Sequence, residues 1–443
     1  RSTRRVLDIL RSSVDEFGQS IVMVTHEAEA AARADIVLFL RDGRVVAEMD
    51  RPDPDRVLDA LRDLAAEDDE RAGAPGGPAG PGPAEPVGPD APGSPARRRP
   101  VTFSRFADAS SHRTPVGFSG DTIISWDSLR FQPRFTATAA NIGYFWWSND
   151  IGGHMLGSSD DTMAARWFQL GCFSPINRLH SSNSAFTSKE PWRYSRDARA
   201  TMEAHLRLRH RLVPYLYTWA RRSASEGIAP VRPVYHDHPR ELAAYEHRGS
   251  FYFGDLLVVP FTSPLDVATG LGRELTWLPD GVWYDLPTGR RYEATTGGRG
   301  RMLSLSRPLD RIGVLARTGS VIPLAGNLTE AAGDNPRELE IVVVPGGSGS
   351  FTLEEDDGSA QPGEDQIART HMALTWPDAE EEDGADVVLR IRLEGAAEVV
   401  PASRLVTVRL LAGQVAGAWL GVGERARRLA TEEVSGDGFT LGA

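Results

Sequence analysis

The sequence predicts an α/β chain that gives way to β-structure. From 101 to about 228, short apolar stretches alternate with helical patterns, the mark of βα units around a parallel sheet. From about 229 onward the helices fade and strands punctuated by tight turns take over. A third feature, "RAGAPGGPAGPGPAEPVGPDAPGSPARRRP" at 71–100, breaks helix and strand alike and holds almost nothing large and apolar to bury. It reads as a flexible or polyproline-like linker over 71–99 that sets residues 1–70 apart.

In the first piece Val6, Leu10, Val14 and Phe17 recur at helical spacing with Leu7 beside them, and the run Ile21 to Val24 reads as a buried strand. "ADIVLFL" and "RVVAEM" read as two more strands around the turn signal "RDG". Residues 1–70 are therefore a small α/β unit. In 100–228 the strand candidates are "VTFSRF", "IGYFWWS" and "SPINRLH", and "ARATMEAHLRLRHRLVPYLYTWARRSAS" is helical. Turn signals "PDG", "PTG", "GDN", "PGGSGS" and "EDDGS" divide the rest into a proximal β-domain, 229–335, and a distal one, 336–443. No repeat at a fixed period is visible.

The chain has 443 residues, 41% apolar and 25% charged, with a net charge of −12. Composition of this kind fits a soluble globular protein, and the negative balance argues against nucleic acid, whose phosphates call for clustered Lys and Arg. Cys172 is the only cysteine, which rules out an intrachain disulfide; it reads as a buried packing residue and fits a reducing, cytoplasmic location. No apolar run approaches the ~18 residues of a transmembrane helix. The chain starts at Arg1 rather than Met, as a fragment would.

Polar residues fall where strands should end: Arg105 in "TFSRF", Asp121 in "FSGDT", Asp150 in "WWSNDIGGH", Arg166 in "AARWFQLG" and His180 in "NRLHSSN". In a β/α barrel such residues converge on one mouth. Six of the ten tryptophans lie between Trp126 and Trp219; a flat indole covers the C–H face of a sugar, although most of these six should pack the core. Asp127 and the pair Asp160–Asp161 read as helix starts, and "DAEEEDGAD", 378–386, as a solvated loop.

Two resemblances follow from these motifs. "SIVMVTHEAEAAARADIVLFLRDGRVV", 20–46, resembles the end of the nucleotide-binding domain of an ABC transporter over about 65 residues. The resemblance implies a switch histidine at His26, vestigial here because residues 1–70 lack the phosphate loop and the Mg²⁺-holding acid that nucleotide hydrolysis needs. The motifs "TFSRFADASSHRTPVGFSGDTIISWDSL", "NIGYFWWSNDIGGH", "RWFQLGCFSPINRLHSSN" and "KEPW" resemble glycoside hydrolase family 31, the α-glucosidase and α-xylosidase family, and the likeness runs from 100 to 443.

That second resemblance implies the C-terminal part of a (β/α)8 barrel in 100–228 followed by two β-sandwich-like domains. It also implies Asp121 as the catalytic acid/base, with Arg105, Phe118, Trp126, Asp150 and His180 binding an α-glycoside or oligosaccharide, and neither metal nor cofactor. Gly120 would let the backbone turn so that Asp121 projects into the site, and partial burial would suit a proton donor. The family's nucleophile belongs in a tryptophan-rich strand upstream of the acid/base, yet no tryptophan precedes Trp126. The expectation is a family 31 chain without its nucleophile, inactive as it stands and prone to self-association through an incomplete barrel. Two other classes stay open: a non-catalytic carbohydrate-binding or interaction protein, and an ATP-linked transport component.

Overall fold

The computed structural model describes residues 28–41, 44–50, 52–60, 62–63, 103–105, 111–113, 116–182, 184–295, 297–359, 361–377, 386–412, 419–422 and 425–428. The expected helix at 6–17, the strand at 21–24, His26, the linker and most of the acidic loop lie outside these residues. The chain divides into two compact units, Arg1–Ser94 and Pro95–Ala443.

In the first unit a short helix α1, Ala28–Ala31, precedes an antiparallel hairpin of β1, Ile36–Arg41, and β2, Arg44–Asp50. Both strands occur where β-branched and aromatic residues flank the "RDG" turn. Ala31, Phe39 and Val57 form its small buried cluster.

The second unit opens with three parallel strands, β3 (Phe103–Ser104), β4 (Val116–Phe118) and β5 (Trp146–Ser148), in sequential order. Helix α2, Trp126–Thr138, crosses from β4 to β5, and α3, Asp161–Cys172, follows β5. A parallel bridge from Ser148 to Ile176 carries the pattern one position further. These are the expected βα units. Cys172, at the end of α3, is fully buried. The stretch read as helical at 198–225 divides into α4, Arg196–Arg211, and α5, Val213–Glu226, because Pro214 has no N–H to continue the ladder but fits a first helical turn.

From Val231 the structure is mainly β, with two short helices, Val234–Asp237 and Leu242–Glu246, between the first two strands. Strands β6 (Val231–Pro233), β7 (Phe251–Phe253), β8 (Leu256–Val259), β10 (Val282–Asp285), β11 (Arg291–Glu293) and β13 (Gly313–Arg317) form one antiparallel sheet in the order β11-β10-β13-β8-β7-β6. The ladder of β9, Gly272–Leu278, with β12, Arg301–Arg307, shares a core with it built on Trp277, Trp283, Leu257 and Leu315. Two three-stranded sheets follow: β14 (Val321–Ala325), β15 (Glu338–Val343) and β19 (Leu405–Leu410), then β16 (Gly349–Asp356), β17 (Ile367–Thr375) and β18 (Val388–Gly395). A last hairpin joins β20, Trp419–Val422, to β21, Arg425–Arg428.

The distal part is not wholly antiparallel, since β15 and β19 pair parallel, Glu338 opposite Leu405. Parallel neighbours require a long crossover, and the connection that supplies it carries β16, β17 and β18. One continuous core runs from Trp167, Leu170 and Phe173 on the barrel side through Trp219 and Phe253 to Ile341, Phe351 and Met372.

Candidate active site

Four successive strand ends deliver the polar groups. Arg105 follows β3, Asp121 lies three residues beyond β4, Asp150 two beyond β5, and Arg178 and His180 follow the bridge at Ile176. Parallel strands all point their carboxyl ends the same way, so sequence-distant residues meet. One ligand atom from each of Asp121, Asp150, His154 and His180 lies within 4.8 Å of the others.

The loops are locked to one another through the backbone. Thr122 O accepts from His154 N at 2.6 Å and from Met155 N at 3.2 Å, and Ser182 N donates to His154 O at 3.0 Å. Gly153 allows this close approach: at φ 78° it sits in the left-handed region, and a Cβ there would lie 2.9 Å from Ile124 Cα. Gly120 also has φ 77°, the turn the sequence asked of it. Lys189, 7% exposed, donates its Nζ to Gly152 O at 2.8 Å.

Asp150 is wholly buried. Its Oδ1 accepts from Arg178 Nη2 at 2.5 Å, whereas Oδ2 has no hydrogen-bond partner and faces His154 Nδ1 at 3.7 Å. Burial raises its pKa to about 6, against the pull of the Arg178 guanidinium. Burial likewise lowers the Lys189 ammonium to about 8, with Asp150 acting in the other direction. The His180 imidazole is shifted down, first by burial and then by the Arg178 charge, and its ring lies 4.6 Å from that of His154.

Asp121 keeps 32% of its side chain accessible, with Arg105 Nη1 at 3.9 Å from Oδ2. Phe118 stacks on Phe103 with ring centres 5.1 Å apart, and the Arg178 guanidinium lies 4.8 Å from the Phe118 ring. One side of the site is thus an aromatic wall capped by a cation, a contact that strengthens as water is excluded.

Arg105, Phe118, Asp121, Asp150 and His180 are therefore joined by contact or proximity. Trp126 is placed differently: its indole N–H donates to Asp160 Oδ2 at 2.9 Å and its ring packs against the main core. Arg166 is corrected outright. It does not line the site but sits on α3, 1% exposed, donating to the carbonyls of Arg307, Pro308 and Arg311 in the β-region. His154, Arg178 and Lys189 were missed. The signals were present as a histidine closing "DIGGH" and an arginine two residues before His180.

Residues 87–219 match the family model described as the glycosyl hydrolases family 31 TIM-barrel domain, and residues 227–322 match the family 31 C-terminal domain. Over these residues the chain is a member of glycosyl hydrolase family 31. This family 31 chain is 31% identical over 268 residues to an α-xylosidase of Saccharolobus solfataricus, covering 59% of the chain and 35% of that relative. It is 26% identical to the lysosomal α-glucosidase of Mus musculus over 67% of the chain and 32% of the relative. Among solved structures, the family 31 α-xylosidase of Xanthomonas citri superposes with a TM-score of 0.59 at 27% identity, over 71% of this chain and 34% of that one. The chain thus spans about a third of the length of these relatives. No helix among the described residues is long and apolar enough to cross a membrane.

Proposed function

We propose that the barrel portion is the acid/base half of a retaining α-glycosidase acting on α-glycosidic bonds of oligosaccharides, with Asp121 as proton donor and acceptor. The single observation that carries this reading is the convergence of Asp121, Asp150, His154 and His180 within 4.8 Å at strand carboxyl ends, inside the stretch matched to a family whose relatives here are an α-xylosidase and an α-glucosidase. Asp121, accessible and next to Arg105, can reach a glycosidic oxygen. Asp150 accepts sugar hydroxyls through its unpartnered Oδ2, and Phe118 with Phe103 offers a face for the ring.

Retention requires a second carboxylate about 5–5.5 Å from the first, acting as nucleophile. Asp150 is near enough, yet it is poorly suited, because it is wholly buried and its Oδ1 is engaged by Arg178. The chain on its own therefore binds sugar without turning it over. Purified chain should release little or no 4-nitrophenol from the α-xyloside or α-glucoside, whereas titration with xylose or glucose should perturb the Asp150 and His180 resonances. Robust turnover abolished by Asp121→Asn would confirm the site and sink the inactivity; failure to bind sugar would sink the site reading.

For residues 1–68 we propose descent from the tail of an ABC transporter nucleotide-binding domain. The β1–β2 hairpin supports it by falling where that motif places two strands. With no phosphate loop in residues 1–70, no Mg²⁺-dependent ATPase rate is expected. A rate lost on His26→Ala would refute this.

A further inference from the structure

We propose that a cleft between the proximal and distal β-domains is a second carbohydrate site, which takes a neutral mono- or disaccharide through its hydroxyls. The cleft encloses about 400 Å³, within the roughly 300–1,000 Å³ of small-molecule sites, and shares no residue with the barrel mouth. Its walls are the tip of the β7–β8 hairpin at Gly254–Asp255, the β13–β14 turn at 318–320 and the start of β16 at 348–350. Two observations carry the assignment. The first is that the hairpin tip is held in place while its carboxylate is left over. Asp255 N donates to Tyr215 Oη at 2.7 Å, and Arg232 Nη1 donates to Gly254 O at 2.7 Å. Gly254, at φ 58°, permits this approach, since a Cβ there would lie 2.3 Å from Tyr215 Oη. Solvent reaches the Asp255 side chain, yet burial among the surrounding protein raises its pKa, with Arg232 and Arg222 opposing. An accessible carboxylate in such a concavity gains from a hydroxyl that donates to it.

The second observation is the set of polar groups that share the cleft with Asp255. Asp237 spends both carboxylate oxygens on Arg232, at 2.9 and 2.6 Å. Burial shifts the His238 imidazole below its ordinary pKa, so it carries no charge at neutral pH. Asp255 and Arg317 remain, one acceptor and one donor of opposite charge. Such a pair favours neither anion nor cation but suits vicinal hydroxyls, which donate to the carboxylate and accept from the guanidinium. Thr318, Ser320 and Ser350 line the same cleft, and among the described residues nothing is hydrogen-bonded to their hydroxyls. The cleft thus offers several hydrogen-bonding groups that the fold itself does not use, and a polyhydroxylated ligand can engage them together.

This site stands whether or not the barrel mouth binds sugar. The test is a titration of the isotope-labelled full-length chain with methyl α-glucoside near neutral pH. Amide shifts at Gly319 and Ser350 report on the cleft, and those at Asp150 and His180 on the barrel. Saturable shifts are expected at Gly319 and Ser350, with the affinity read there lowered more than about tenfold in Asp255→Asn. The Asp255 carboxylate holds no other part of the chain, so this variant keeps the fold; Ser350→Tyr, which fills the cleft, should abolish the Gly319 shift as a second check. Absence of shifts at Gly319 and Ser350, or equal affinity in the wild type and Asp255→Asn, overturns the proposal, as do shifts produced there by inorganic phosphate and not by the sugar. Cleft shifts without barrel shifts reject only the barrel reading, and barrel shifts without cleft shifts reject only the cleft.

Discussion

Arg166 is 1% exposed and directs its guanidinium at three carbonyls of the β-region, with Gln169 beside it reaching a fourth at Leu309. Burial lowers its pKa to about 10, still well above neutrality, so it is a buried cation satisfied by oxygen dipoles. Arg166→Met should leave those carbonyls unpartnered and cost about 3–5 kcal/mol in urea unfolding. A loss under about 1 kcal/mol would contradict the clamp. The same residue shows where the sequence misleads. An arginine beside aromatics reads equally well as a site residue or a structural one, because the alternation of strands and helices says which residues end strands, not which face of a helix meets the next domain. Asp121 and Asp150 stood out because each lies just past a strand, and His180 because it follows the bridge at Ile176. His154 showed only as the histidine closing "DIGGH", since Gly152 and Gly153, both with positive φ, fold the chain back in a way that no spacing rule encodes.

At the scale of elements, α3 and α4 carry two separable effects. Asp160 caps α3 by accepting from Met163 N at 2.9 Å through Oδ1, while Oδ2 accepts from the Trp126 indole, also at 2.9 Å. One aspartate thus starts a helix and ties it to the beginning of α2. Asp160→Ala should cost about 1–2 kcal/mol, and Asp160→Asn, which keeps an acceptor, distinctly less; equal losses in a thermal melt would deny the cap. On α4, His205 is 3% exposed and Nδ1 lies 2.7 Å from Thr201 O. Burial holds its pKa down at about 4, below the ordinary 6.5. Between those values the unfolded chain takes up a proton that the folded chain refuses, so stability falls as pH falls. From pH 7 to 5 the loss assigned to this residue is about 2 kcal/mol, and His205→Gln should flatten the urea-midpoint profile by that amount. An unchanged slope would show that other groups set it. Among the described residues the β1–β2 hairpin and the helices after β4 and β5 were readable from the sequence, whereas "SPINRLH" forms only a bridge at Ile176. The parallel pairing of β15 with β19 was not readable, because strand direction depends on a partner far along the chain.

For the molecule as a whole, the parallel sheet among the described residues has β3 at its edge, with Phe103 44% exposed. A parallel strand edge with an aromatic facing solvent invites pairing. Sedimentation velocity is expected to show mass rising with concentration, and Phe103→Lys, placing charge on the edge, to suppress it. A monomer at all concentrations in the wild type would count against this. The transition from βα units to β-structure near 229 was legible because turn chemistry changes there, whereas the continuous core from Trp167 to Met372 was not, since periodicity shows which residues are buried but not against which partner.

Cys172 gives the chain a use that its packing alone does not announce. Fully enclosed at the end of α3, with its thiol pushed up to about 12 by burial, it offers a disulfide reagent essentially no thiolate and no path while the core is closed. Each labelling event therefore records an opening of the structure around it, and because no second cysteine competes, the signal comes from a single place. Under conditions where closing outruns reaction, the labelling rate divided by that of an exposed thiol is the fraction of time the core spends open. The molecule thus holds its own clock for breathing motions, readable without tags or substitution, and Arg166→Met should make it run faster.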